Sequence, residues 1–392
     1  MRHLAFIAFC LQVLAPLTLV GQSPSTPLQV EIQTENTRIQ DLWKAKKYEE
    51  GLKVLTARSQ SPSFSQLDAN TRAGVHYNMA CAAALLGRGS EAMAWLGVAV
   101  GEGFKDWANL EQDSDLASIR NEPGFKGLAE TARRQGDFVW VLRGFKDYGL
   151  AKAMPFHAFT YQAPNHADLV KFREAWKLDE IAGKGPEFER ILNLVRWVHT
   201  QVRHDGNNSI NPEPKNALHI LEVCRTEKRG VNCRMMATIL NEAYLATGFK
   251  SRQVTCMPLD EKDPDCHVIT TVWSNQFGKW LYMDPTFDAY FTDEKGTPQS
   301  ISEVRDRLIS GAPLRMSEGA NWNGQPYDSI QYKNYMAKNL VRIICPTESA
   351  FGFESKPGTR TYVILDALGF PHRPGDESDR VTNDPLAFWA KP

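Results

Sequence analysis

The run Arg229-Gly230-Val231-Asn232-Cys233-Arg234-Met235-Met236 puts one cysteine directly after a glycine-led turn and at the head of a helical pattern. A thiol in that place meets the positive end of the helix dipole, which favours thiolate over thiol. Downstream stand Asp265-Cys266-His267-Val268 and then Trp280-Leu281-Tyr282-Met283-Asp284-Pro285-Thr286. A histidine can take the thiol proton and later return it to a leaving group. An aspartate can hold that imidazole in one tautomer and stabilise its charged form. Cys233, His267 and Asp284, in that chain order, are the predicted catalytic residues of nucleophilic cysteine chemistry.

The flanking patterns say how these three are brought together. After Cys233 the apolar residues Met236, Leu240, Ala243 and Tyr244 recur at helical spacing, and the helix is expected to end near Gly248. His267 opens a β-branched run over residues 267–273. A short polar turn follows, and residues 280–283 read as the paired strand, stopped by Pro285. Such a hairpin carries the base on one strand and its orienting acid at the end of the next. The helix needs only to pack its N-terminus against that sheet.

Together with the helical segment Ile191-Leu192-Asn193-Leu194-Val195-Arg196-Trp197-Val198, these pieces resemble the transglutaminase-like superfamily over residues 187–292. That resemblance implies an α+β fold with a papain-like core, a nucleophile helix packed on an antiparallel sheet, and Cys233, His267 and Asp284 as the triad. The superfamily includes transferases, hydrolases and inactive members. It also uses a side chain near the nucleophile to stabilise the oxyanion. Six residues before Cys233, where papain-like proteases carry glutamine, stands Glu227, which cannot donate when ionised. The backbone amide of Cys233 is the remaining donor expected there. Cys266 is the competing nucleophile, but a strand position lacks the helix dipole.

The chain starts Met1-Arg2-His3 and then runs apolar to Val20 before Gly21. This reads as a secretory signal peptide over residues 1–22, too short and interrupted for stable membrane insertion. A secreted or periplasmic protein is expected. Seven cysteines include Cys10 in the leader. Cys256 and Cys266 bracket a loop rich in Asp and Pro; they either bridge it or remain two free thiols.

A Ser/Pro/Thr-rich linker is expected over residues 23–37, followed by a helical domain over 38–135. The segments beginning Lys46-Lys47-Tyr48 and Gly87-Arg88-Gly89 align with an offset of 41 residues. This is longer than the tetratricopeptide period of about 34, and the polar stretch 59–66 is read as the added loop. With the small-residue run over 77–87, the region resembles a short, degenerate tetratricopeptide-like repeat. It either binds a peptide or protein partner or only caps the enzyme. Residues 136–186, rich in aromatics to Tyr161, read as connecting strands and a helix. The polar segment 203–214, with His204, reads as a surface turn or a substrate-lining loop, and the former is favoured. Residues 293–392 are expected to complete the core, through helices over 301–309 and 332–340 and strands over 341–345 and 361–365. Trp322 and Trp389 are assigned either to a cleft rim or to the core.

Forty-five basic residues against 46 acidic ones give a net charge of −1, which shows no electrostatic footprint for nucleic acid. His199, His204 and His219 lack metal-ligand spacing with cysteine or carboxylate, so neither metal nor cofactor is expected. The function expected is a secreted cysteine hydrolase acting on peptide or amide carbonyls through a thioester. An amine acceptor would make it a protein-glutamine acyltransferase. A non-catalytic peptide-binding protein is the reading from another class.

Overall fold

The computed structural model describes residues 27–149, 159–206, 210–356, 358, 360–371, 373 and 380–392. The predicted leader lies outside these residues. The chain forms two compact units, Met1–Asp137 and Phe138–Pro392. The buried apolar residues divide the same way. One cluster draws only on the first unit and two draw only on the second.

The first unit is helical: Pro27–Lys44, Tyr48–Ser59, Ala69–Leu85, Gly89–Gly101, Trp107–Gln112 and Phe125–Gly136. The first helix begins ten residues before the expected end of the linker, which is a correction. Proline fits the opening position of a helix because its missing N–H has no partner there in any case. The two aligned segments each begin at a helix-helix turn of the same shape. Lys46 and Gly87 both have positive φ (56° and 74°). The next residues, Lys47 and Arg88, have φ/ψ of −92°/58° and −95°/66°. Ala80, Ala82, Ala83 and Ala84 are buried with almost no exposure, so neighbouring helices approach closely. A side chain at Gly51 would strike the Trp43 ring, 2.5 Å from an added Cβ. Asp68 caps the third helix by accepting from the Thr71 N–H at 2.9 Å.

In the second unit, residues 138–144 form a helix, Phe138–Gly144, where strands were expected. Phe138, Val141, Leu142 and Phe145 are spaced at i, i+3, i+4 and i+7, and that helical period outweighs the β-propensity of the aromatics. The centre of the unit is a six-stranded sheet. Its order is Val381–Thr382, Tyr362–Asp366, Arg342–Pro346, Ser251–Met257, His267–Ser274, Lys279–Met283. All neighbours are antiparallel except the first pair. Three of the six strands therefore come from the region after residue 293.

Alternation along the strands distributes the core. Val272, Leu281 and Met283 face the cluster that holds Leu194, Val198, Ile220 and Leu240. Val254, Ile269, Tyr282 and Ile343 face the cluster that holds Val304, Tyr332 and Met336. Helices Glu187–Gln201, Ala217–Glu227 and Cys233–Ala246 cover one face of the sheet; Ile301–Ser310 and Ser329–Asn339 cover the other. Both faces are covered, so the strands Ser251–Met257 and His267–Ser274 are buried almost throughout, polar residues included.

Candidate active site

Cys233 is the first residue of helix Cys233–Ala246. Asn232 caps that helix, its side chain accepting from the Met235 N–H at 3.2 Å. Gly230 is required just upstream. An added Cβ there would lie 2.5 Å from the Arg203 carbonyl oxygen and 2.9 Å from Asp205 Cβ. His267 is the first residue of its strand and pairs with Cys256. Asp284 directly follows the strand Lys279–Met283. Its N–H donates to the Ala289 carbonyl at 2.9 Å, and the Ala289 N–H donates back at 3.0 Å, which closes a tight turn.

The turn delivers a buried carboxylate to the imidazole. His267 Nε2 donates to Asp284 Oδ2 at 2.6 Å. The Tyr332 hydroxyl donates to the same oxygen at 2.5 Å, and the Thr286 N–H donates to Oδ1 at 2.8 Å. The Tyr282 and Tyr332 hydroxyls are 2.6 Å apart. Burial alone would push the Asp284 carboxyl up. The His267 charge and these donors outweigh it and hold the carboxyl below its ordinary range.

With Nε2 engaged, Nδ1 of His267 is the nitrogen left for Cys233, and the sulfur acts on the ring by raising it. His267 is only 2% exposed. Burial pushes the imidazole down, but the Asp284 carboxylate and the Cys233 sulfur raise it to about 10. Burial likewise pushes the Cys233 thiol up. Hydrogen bonds from His204 and His267, the His267 charge and the Val268 N–H overcome it and bring the thiol down to about 6. Between those two values the resting site is a thiolate–imidazolium pair backed by a carboxylate. The rings of Phe287 and Tyr335 pack edge-on to His267, at 5.8 and 5.3 Å between centroids.

The competing groups are placed otherwise. Burial pushes the Cys266 thiol up. Cys256 and Cys266 are free, as are Cys81, Cys224, Cys233 and Cys345, so the bridge across their loop does not form. Glu227 is exposed and accepts from Arg229 Nε at 2.8 Å. Asp284, not Asp288, bonds the imidazole; Asp288 has φ 47° and a carboxyl that burial pushes up to about 6. Among the described residues no group of three His, Cys, Asp or Glu side chains is arranged to hold a metal. No described helix is long and apolar enough to cross a membrane.

Two residues at this site are not singled out by sequence reasoning. Tyr332 looks like the start of an ordinary amphipathic helix. His204 sits in a segment favoured as a surface turn, yet it reaches Cys233. Trp322, left between rim and core, is 41% exposed. The only sequence signals were a polar His-Asp pair right after an apolar helix and the Trp-Asn-Gly cluster far downstream.

No curated protein matches the chain. Among solved structures, a candidate cysteine protease from Cytophaga hutchinsonii is similar in part, at 16% identity and a TM-score of 0.24. The match covers 46% of this chain and 61% of that one. Residues 176–285 match the family model of the transglutaminase-like superfamily. That span contains Cys233, His267 and Asp284, so the chain carries a transglutaminase-like domain over residues 176–285.

Proposed function

We propose that the protein is a cysteine hydrolase that cleaves peptide or amide bonds. The observation that carries this reading is the buried His267–Asp284 hydrogen bond beside Cys233 at the head of a helix, with the thiol drawn down by that imidazole. The Cys233 thiolate adds to the carbonyl carbon and the π pair moves to oxygen. The tetrahedral species collapses, the C–N bond breaks, and the amine leaves with the proton held on His267. Water then adds to the thioester, giving its proton to His267, and the thiolate departs as the acid forms. The Cys233 N–H at the head of the nucleophile helix is the backbone donor for the oxyanion. Cys233 is partly exposed, so water reaches the acyl form. That exposure supports reading the acceptor as water rather than an amine.

The test is intact mass after incubation with a peptide library, with and without a primary amine. Hydrolysis predicts an acyl adduct on Cys233 that decays equally fast in both, and none on Cys233→Ala. Amine-dependent decay would make the protein an acyltransferase. No adduct under either condition would remove the enzymatic reading.

Export is part of this proposal, supported by the basic start and apolar run before Gly21. An exported chain whose N-terminal sequence still begins at Met1 would contradict signal cleavage. The helical unit is read as a tetratricopeptide-like stack for a peptide or protein partner, supported by its two like-shaped turns. Unchanged turnover of protein substrates after its deletion would argue against that role.

A further inference from the structure

The nucleophile has a second histidine, and an elaborate support holds it. The Trp322 indole Nε1–H donates to His204 Nδ1 at 2.9 Å. An indole nitrogen can only donate, so His204 Nδ1 must be an acceptor and its ring proton sits on Nε2. Nε2 is thus the nitrogen left to donate toward Cys233, whose thiol the His204 ring draws down. The backbone is fixed as firmly. The His204 N–H donates to Asn323 Oδ1 at 2.8 Å, and Asn323 Nδ2 donates to the His204 carbonyl at 3.0 Å. On its other side His204 forms a β-bridge with Val231. The Asp205 N–H donates to the Val231 carbonyl at 2.8 Å, and the Val231 N–H donates to the Arg203 carbonyl at 3.1 Å. Gly230 allows that approach, two residues before the cap of the nucleophile helix.

The support itself is a small hairpin, Asn321–Trp322 paired with Gln325–Pro326. Its two turn residues, Asn323 and Gly324, have φ of 51° and 83°. Two successive positive φ values define the turn that Asn-Gly favours. His199 ties this hairpin to the acid: its ring lies 2.8 Å from Asn321 Oδ1 and 3.0 Å from the carbonyl of Pro285, which follows Asp284. The hairpin lies beyond the transglutaminase-like domain at residues 176–285.

We propose that His204 is a catalytic residue of this site, a fixed-tautomer imidazole whose Nε2–H donates to the Cys233 sulfur and holds it as thiolate, with Trp322 and Asn323 as its positioning residues. The labour is divided between the two histidines. His267, backed by Asp284, carries the proton that is transferred. His204 presents a hydrogen, not a lone pair, to the sulfur, so it stabilises charge and takes no proton. The other titratable groups around Cys233 do not substitute for it. Burial keeps Cys256, Cys266 and Tyr335 protonated and neutral, and a thiol or phenol has no cationic form to offer the sulfur. Arg234, next in sequence, is paired to Glu354 at 3.2 Å.

This inference rests on the cysteine-enzyme reading, and one experiment separates the two. The rate of Cys233 alkylation by iodoacetamide is followed against pH in the full chain, with the site read by mass spectrometry. The wild type is expected to show an inflection near 6. His204→Ala should raise that inflection by about one to two pH units, which is roughly five- to fiftyfold slower labelling at pH 6. Trp322→Phe removes the indole N–H with part of an exposed ring and should shift the inflection less, in the same direction. His204→Gln, which keeps a donor, should recover part of the loss. A low wild-type inflection unmoved by either His204→Ala or Trp322→Phe, with circular dichroism unchanged, would overturn the role of His204 alone. An ordinary thiol inflection in the wild type would overturn both readings.

Discussion

Cys233 stands apart from its fellow thiols by environment, not by residue type. Burial pushes the thiols of Cys81, Cys224, Cys256, Cys266 and Cys345 up, while two imidazoles and a backbone N–H bring Cys233 down. At pH 6.5 iodoacetamide should therefore label Cys233 essentially alone. Comparable labelling of Cys266 would mean the nucleophile is misassigned. Asp284→Asn should keep the fold and reduce turnover. Losing the orienting acid of a serine triad costs about 10⁴ in rate. A thiol leans less on its base, so a loss of roughly 10 to 10³ is expected here. The sign of the pH effect follows from the pair. The Asp284 carboxylate is the largest influence raising His267. Without it the imidazolium deprotonates at lower pH, and the alkaline limb of the pH–activity profile should move down from about 10. Asp288→Asn should leave both turnover and that limb unchanged; the reverse pattern would move the third member of the series to Asp288.

The helix Cys233–Ala246 carries one carboxylic acid, Glu242, which is buried away from the thiol's partners. Glu242 accepts from the Ala217 N–H at 2.7 Å and from the Gly352 N–H at 2.9 Å. It thereby joins the start of the preceding helix and a late loop to the helix that presents Cys233. Burial pushes its carboxyl up to about 8, against the pull of those two donors. A carboxyl raised in the fold is protonated there while the unfolded chain is already ionised. Its contribution therefore weakens as pH rises from the ordinary carboxyl range through 8. Glu242→Gln removes that titration but turns an amide donor toward one of the two N–H groups. It should cost about 1–3 kcal/mol at pH 5 and flatten the decline in stability between pH 5 and 8. Urea unfolding of both proteins across that range checks it, and parallel pH curves would refute the assignment.

At the scale of the molecule, each unit has its own buried core. Cys233, His267 and Asp284, the hairpin beside His204 and all six strands of the central sheet belong to residues 138–392. A chain lacking residues 1–137 should fold and show the alkylation profile of the full protein. A soluble, helical product with an ordinary Cys233 thiol would show that the site depends on the first unit. The strands at residues 342–346 and 362–366 also make the tail indispensable, because the strand Ser251–Met257 is paired on one side by Arg342–Pro346. Truncation after residue 292 would leave that edge open and should abolish soluble expression.

What the sequence determined by itself was local. A helix beginning at Cys233, a hairpin from His267 to Met283 and an aspartate at its end follow from 3.6- and 2-residue periods, a cap and a proline, all within a few residues of each other. The order Cys233, His267, Asp284 and the resemblance they carry were readable for the same reason. Residue propensity misread the 138–144 segment, because its aromatics look β-like until their i, i+3, i+4, i+7 spacing is counted. Tertiary structure alone decided what is non-local. Nothing near Tyr332 indicates that its hydroxyl meets an aspartate 48 positions earlier. Nothing near His204 indicates that an indole 118 positions later sets its tautomer. A turn is polar whether it faces solvent or a nucleophile, and only the partner brought against it by the fold distinguishes the two.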